Sequence, residues 1–197
     1  MQGEPIEAVN NGVQMMISSL RQNPQAIETA FISVITFGST AQQIIPLTDL
    51  ASFQPVTLQA SGQTPLGAAL RLTAEKMQTE VTRTTAEKKG DWKPIVFILT
   101  DGKPSDDWEA GLAEFEKQKA GLVVACGAGP DVNTTILQRI TDNVISLDSA
   151  DSQSISKFFA WVSASIGVSS TRVEENGKEA SGIKDLPPPP KELNVVV

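Results

Sequence analysis

Histidine and tyrosine are absent from the 197 residues, and cysteine occurs once, as Cys126. Without histidine, Ser-His-Asp and Cys-His catalysis and His-ligated zinc are excluded. Any chemistry falls to carboxylates, hydroxyls or lysine, and a bound metal is expected to be a hard cation with oxygen ligands: Mg²⁺, Ca²⁺ or Mn²⁺. A single cysteine cannot pair within its own chain, and the first residues lack the basic, apolar, small-residue order of a signal peptide, so the expected setting is reducing and cytoplasmic. No apolar run approaches the roughly 20 residues of a membrane-spanning helix. Cations are also scarce: 16 Lys and Arg against 23 Asp and Glu leave a net charge of −7, and the basic residues form no stripe, which argues against nucleic acid as a partner.

What is present is a globular composition, 40% apolar and 20% charged, in a chain long enough to bury roughly 70% of its unfolded surface. Pro5 stands at a first helical position, and Ile6, Val9, Val13, Met16, Ile17 and Leu20 recur at helical spacing until Asn23-Pro24 stops them. Ala30 to Phe37 is short, β-branched and apolar on nearly every position, which predicts a strand buried on both faces. Ala41 to Leu47 predicts a weaker strand, with Pro46 suited to an edge. Leu66 to Met77 predicts a helix started by Thr64 as hydroxyl cap and by Pro65. Ile95 to Leu99 is the most apolar strand and runs into Thr100-Asp101-Gly102. A helix is expected from about Asp107 to Ala120, with Asp106 and Glu109 as a capping pair. Leu122 to Ala125, a short helix from Asn133 to Ile140, a strand at Val144 to Leu147 and a last helix bearing Ile155, Phe158, Phe159, Val162 and Ile166 complete the pattern.

Strands alternating with helices at this spacing predict an α/β fold: three layers, doubly wound, with a mostly parallel sheet and one antiparallel edge strand. The expected domain is 1–168. Residues 169–197 are polar with four consecutive prolines and are expected to form a tail, with Val195-Val196-Val197 either fraying or adding an edge strand.

In open α/β sheets ligands sit beyond the carboxyl ends of the strands, which singles out Asp101, a carboxylate leaving an apolar strand with Asp106 and Asp107 close behind. It can hold a cation, act as a nucleophile or simply accept turn amides. Thr64 has the same double reading, cap or metal ligand. Gly127-Ala128-Gly129 lacks the third small residue of a dinucleotide loop, since position 132 is Val, and is read as a structural turn. Cys126, beyond a buried strand and without a basic neighbour, is read as an inert core thiol.

The segments FISVITFGSTAQQIIPLTDL, SGQTPLGAAL, PIVFILTDGKPSDDW and GLVVACGAGPDVN, in this order, resemble the von Willebrand factor A domains, more closely the bacterial stand-alone kind associated with tellurium resistance, the TerY-like proteins. The resemblance covers about residues 1–168. Thr64-Pro65-Leu66 and Leu99-Thr100-Asp101-Gly102 match the second and third segments of that family's metal-ion-dependent adhesion site. It implies that Thr64 and Asp101 are metal ligands, direct or through water, for a cation such as Mg²⁺ whose last position is taken by a carboxylate of a protein partner.

The family's first segment, Asp-x-Ser-x-Ser at the end of a central strand and often followed by methionine and the first helix, has no counterpart before Met1-Gln2-Gly3-Glu4-Pro5. The resemblance therefore implies an amino-terminally shortened domain and an incomplete cation site. It also implies a gap of two strand spacings, roughly 9 to 10 Å, between Ala30 to Phe37 and Ile95 to Leu99, filled by an upstream strand or by another segment such as Leu193 to Val197. The function expected on this basis is a protein-binding module without enzymatic turnover. The resemblance further implies a role in tellurium resistance or stress, with a kinase, a phosphatase or another resistance protein as partner. The alternatives are a Mg²⁺-dependent phosphoryl-transfer or hydrolytic enzyme using Asp101, which lacks a visible base or phosphate loop, and a metal-free scaffold.

Overall fold

Helices and strands alternate along the computed structural model, which describes residues 1–180 and 182–196. In chain order they are α1 (Glu4–Leu20), α2 (Pro24–Thr29), β1 (Phe31–Phe37), β2 (Ala41–Asp49), α3 (Leu66–Glu80), β3 (Ile95–Thr100), α4 (Trp108–Glu116), β4 (Leu122–Ala128), α5 (Thr134–Ile140), β5 (Val144–Leu147), α6 (Ser152–Asn176) and β6 (Asn194–Val196). β3, β4 and β5 pair in parallel, while β2 lies antiparallel on β1 and β6 antiparallel on β5. The fold is the expected α/β layering, with two antiparallel outer strands where one was expected.

Side-chain alternation along the strands divides the core into two layers. Val124, Cys126 and Ala128 of β4 and Ile145 and Leu147 of β5 join the buried faces of α1 and α6. Ala125 and Val144, one position out of phase, pack instead with Leu66, Leu70, Leu112 and Phe115 from α3 and α4. Strands buried on both faces read as unbroken apolar runs for this reason.

The hydrogen-bonded ladders stop in the middle of this layer. They form a pair, β1-β2, and a group of four, β3-β4-β5-β6, and no ladder joins β1 to β3 among the described residues. The consequence shows in burial: β4 has six of its seven residues buried, whereas β3 has two of six and β1 none.

Several local features differ from expectation. α1 ends at Leu20 with Arg21 as its C-cap, and Asn23, expected only as part of a stop, starts α2, its Oδ1 accepting the amide of Ala26 at 3.1 Å. α4 ends at Glu116, ahead of a left-handed Lys119 (φ 51). The expected domain end at Val168 falls inside α6, which runs to Asn176. The residues after it are folded onto the domain: Ala180, Leu186 and Leu193 are buried, Trp161 Nε1 donates to Pro187 O at 2.8 Å, and Arg172 pairs with Asp185 at 2.9 Å. A proline-rich stretch can dock in this way because its carbonyls remain good acceptors although its amides are gone. β6 lies on β5, far from the β1–β3 edges that it was weighed as filling; Val197 lies outside the described residues.

Candidate functional site

The carboxyl ends of β1 and β3 open onto one rim. β3 carries its apolar run to Thr100, which is 4% exposed and whose Oγ1 accepts the amide of Gly102 at 3.4 Å. Asp101 then emerges with its side chain 31% exposed, and the ammonium of Met1 forms an ion pair with its carboxylate.

Thr64 reaches the same rim from the other side. A methyl group placed on Gly102 would lie 3.2 Å from Thr64 Oγ1, so the hydroxyl touches the residue that follows Asp101. The two loops are tied by a reciprocal clasp: Thr64 N donates to the side-chain Ser105 Oγ at 3.1 Å and Ser105 N donates to Thr64 O at 2.9 Å.

Thr64 was expected to cap α3 and does not. The cap position is Pro65, with no side-chain cap bond, and the carboxylate that serves α3 comes from Asp106, whose Oδ1 and Oδ2 accept the amides of Gly67 and Ala68 at 2.9 and 2.8 Å. The expected capping pair of Asp106 and Glu109 is corrected accordingly: α4 is capped by Asp107, which accepts from Ala110 N at 3.1 Å. The physical reason is a backbone-to-backbone approach. A Cβ on Gly111 would stand 2.3 Å from Gly67 O, and one on Gly67 would stand 2.3 Å from Asp107 O. Only glycine at both positions lets the start of α3 come close enough for Asp106 to reach across.

Hydroxyls that sequence reasoning did not single out also gather on this rim. Ser39 Oγ donates to Ser61 Oγ at 3.4 Å, and Gly38 and Gly62 lie against Ser61 and Ser39 respectively. The available signal was the pair of Gly-Ser and Ser-Gly steps, which permit two loops to touch. Gly127 and Gly129 act as a turn: a Cβ on Gly127 would meet Val132 at 2.6 Å, and Gly129 has φ 90. Cys126 is fully buried, and desolvation pushes its thiol pKa up, as an inert core thiol requires.

Hard divalent ions take six or more oxygen ligands. Thr64 and Asp101 offer one hydroxyl and one carboxylate, and among the described residues no three His, Cys, Asp or Glu side chains gather as a metal cluster. Two oxygen donors are fewer than such an ion takes.

A sequence model of the von Willebrand factor type A domain matches residues 1–160. Among solved structures, the chain is similar to proximal thread matrix protein 1 from the mussel byssus with a zinc-occupied MIDAS motif, at 19% identity and a TM-score of 0.58 over 82% of this chain and 42% of that one. It is also similar to a von Willebrand factor type A protein from Catenulispora acidiphila, at 21% identity and a TM-score of 0.51 over 78% of this chain and 38% of that one. The chain thus spans about two fifths of the length of these structures, and at such identities the likeness speaks for the fold. No curated protein matches it. No helix among the described residues is long and apolar enough to cross a membrane. Domains of this type commonly serve as protein-interaction modules built around a metal-ion-dependent adhesion site. With four fifths of its residues matched by the family's sequence model and the sheet layering in agreement, this chain belongs to the von Willebrand factor type A domain family.

Proposed function

We propose that the chain is a protein-binding module whose contact point is the rim carrying Thr64 and Asp101, with both residues as ligands to a divalent cation, Mg²⁺, Ca²⁺ or Mn²⁺. The observation that carries this reading is the clasp between the two loops: Thr64 and Ser105 bond each other twice, and the Thr64 hydroxyl lies against Gly102, the residue after Asp101. The remaining ligands come from outside this pair. One is a carboxylate of the protein partner. The others belong to the adhesion site's first segment, Asp-x-Ser-x-Ser, which this sequence lacks, and the unpaired inner edges of β1 and β3 support that reading.

The module has no turnover of its own, a reading supported by a sequence without histidine and a rim without a nucleophile-and-base pair. It works in the cytoplasm as an accessory protein of tellurium resistance or stress response, with a kinase, a phosphatase or another resistance protein as partner, a reading that rests on the resemblance of its sequence segments to TerY-like proteins alone. The test is a Mn²⁺ titration read by electron paramagnetic resonance, with and without a carboxylate-bearing partner peptide. Binding is expected to be weak for the chain alone, stronger with the peptide, and lost in Asp101→Asn and Thr64→Ala. Unchanged binding in both variants overturns the ligand assignment. Phosphoester hydrolysis with Mg²⁺ that disappears in Asp101→Asn establishes the enzyme instead.

A further inference from the structure

We infer that the docked proline run, Pro187 to Pro190, is a display surface: it presents a polyproline II ribbon to a partner protein whose groove is lined by aromatic side chains and edged by carboxylates. Each proline ring locks φ at about −65°, and a residue that precedes proline is pushed to extended ψ. Four prolines in a row therefore hold the polyproline II form. The run has no amide to give to a ladder, so its carbonyls and its rings are what it offers.

A ribbon of this kind has about three residues per turn, which places Pro187 and Pro190 on one face. These are the two prolines whose carbonyls are used inside the chain, by the Trp161 indole at 2.8 Å and by the Leu193 amide at 2.9 Å. Among the described residues the carbonyls of Pro188 and Pro189 accept no hydrogen bond, and Pro188 is exposed. Readers of polyproline II pack aromatic rings on such a ridge, and indole or phenol groups donate to such carbonyls. Trp161 already treats Pro187 in this way from the inner side, and the partner repeats that chemistry from the outer one.

Charge fixes the character of the groove. Over 177–193 the acidic side chains are taken up by the domain: Glu179 pairs with Lys93, Asp185 with Arg172 and Glu192 with Lys157. Lys178, Lys184 and Lys191 are exposed and enter no ion pair among the described residues. A chain of net charge −7 thus turns lysines outward on both sides of the prolines, and the complementary groove is anionic at its edges. Leu186 and Leu193, both buried, anchor the ribbon at its two ends, so little further ordering is needed when it is bound. The surface belongs to α6, β5 and the segment between α6 and β6. It stands if Thr64 and Asp101 bind no cation.

The experiment titrates the isotope-labelled full chain with two isolated polyproline readers, a WW domain and an SH3 domain, followed by nuclear magnetic resonance. Saturable binding of at least one probe is expected, with shifts at the amides of Leu186, Lys191 and Glu192. Pro188→Ala and Pro189→Ala together are expected to weaken it about tenfold or more while Tm is kept, since neither carbonyl is bonded within the chain. Lys191→Glu, at an exposed site, is expected to weaken it several-fold and carries the test if the double variant folds poorly. The inference is overturned if neither probe binds at about 1 mM, or if binding is unchanged in these variants. It is also overturned if Trp161→Phe tightens binding, because the docked ribbon is then hidden rather than displayed.

Discussion

Replacing Asp106 by alanine removes both acceptors from the first turn of α3, at 2.9 and 2.8 Å from the amides of Gly67 and Ala68. An N-terminal cap contributes about 1 kcal/mol; a second charge-assisted bond adds roughly as much again, and a negative charge at a helix start adds about 0.3 to 1 kcal/mol. The expected loss is therefore about 2 to 3 kcal/mol, which lowers Tm by roughly 5 to 10 °C for a chain of this size. Asp106→Asn keeps one acceptor and loses the charge, so about 1 kcal/mol is expected. The neighbouring Asp107→Ala forfeits a single bond at an exposed helix start, also about 1 kcal/mol. Urea unfolding followed by circular dichroism measures all three at neutral pH. If Asp107→Ala costs as much as Asp106→Ala, or if neither exceeds about 0.5 kcal/mol, the cross-helix capping argument is refuted.

Gly12→Ala drives a methyl to within 2.2 Å of the Phe159 ring where α1 crosses α6. The overpacking costs about 1 to 3 kcal/mol, and Phe159→Leu in the same chain is expected to recover part of it, with simple additivity counting against the contact. Trp161→Phe removes the donor to Pro187 O; limited proteolysis should then cut faster within 177–193, and an unchanged rate means that the bond does not hold the segment. Asp151 caps α6, and hydrogen bonds from the Ser149 hydroxyl first and the Ser154 amide next hold its pKa below the usual carboxylate value. A depressed folded-state pKa contributes stability that is full above the ordinary carboxylate range and lost as pH falls through the folded value. Asp151→Asn is expected to flatten that acid limb of the stability curve, and a limb of unchanged slope rejects the assignment.

The parts of this fold legible in the sequence are those decided by local pattern. Ala30 to Phe37 and Ile95 to Leu99 read as strands because β-branched and apolar side chains occupy nearly every position, and α1 reads as a helix because its apolar residues keep one stripe. The parts that were not legible are decided at a distance. Asp106 sits next to a helix it does not cap, because Gly67 and Gly111 bring a different helix within its reach. α2 was hidden because an Asn-Pro pair serves equally as a stop and as a start. Residues 177–193 read as a tail because Ala180, Leu186 and Leu193 show no period; their burial depends on the indole of Trp161 and on Arg172, both donors on another element. At the rim, Asp101 was visible as a carboxylate leaving an apolar strand. That Thr64 abandons its cap and lies beside Gly102 follows from the Ser105 clasp, which joins residues 41 positions apart.

The contact of Gly67 with Gly111 also governs how the rim can move. Where two helices meet backbone to backbone, no side chains lie between them to change rotamer, and sliding one past the other drives carbonyl oxygens into Cα atoms. α3 and α4 therefore travel as one rigid body, carrying the Thr64 and Ser105 loops with them. Any opening or closing of the rim therefore falls to the other side of Asp101, where the start of α1 is held by a side-chain contact, the Glu4 carboxylate accepting from the Ser152 hydroxyl at 2.9 Å.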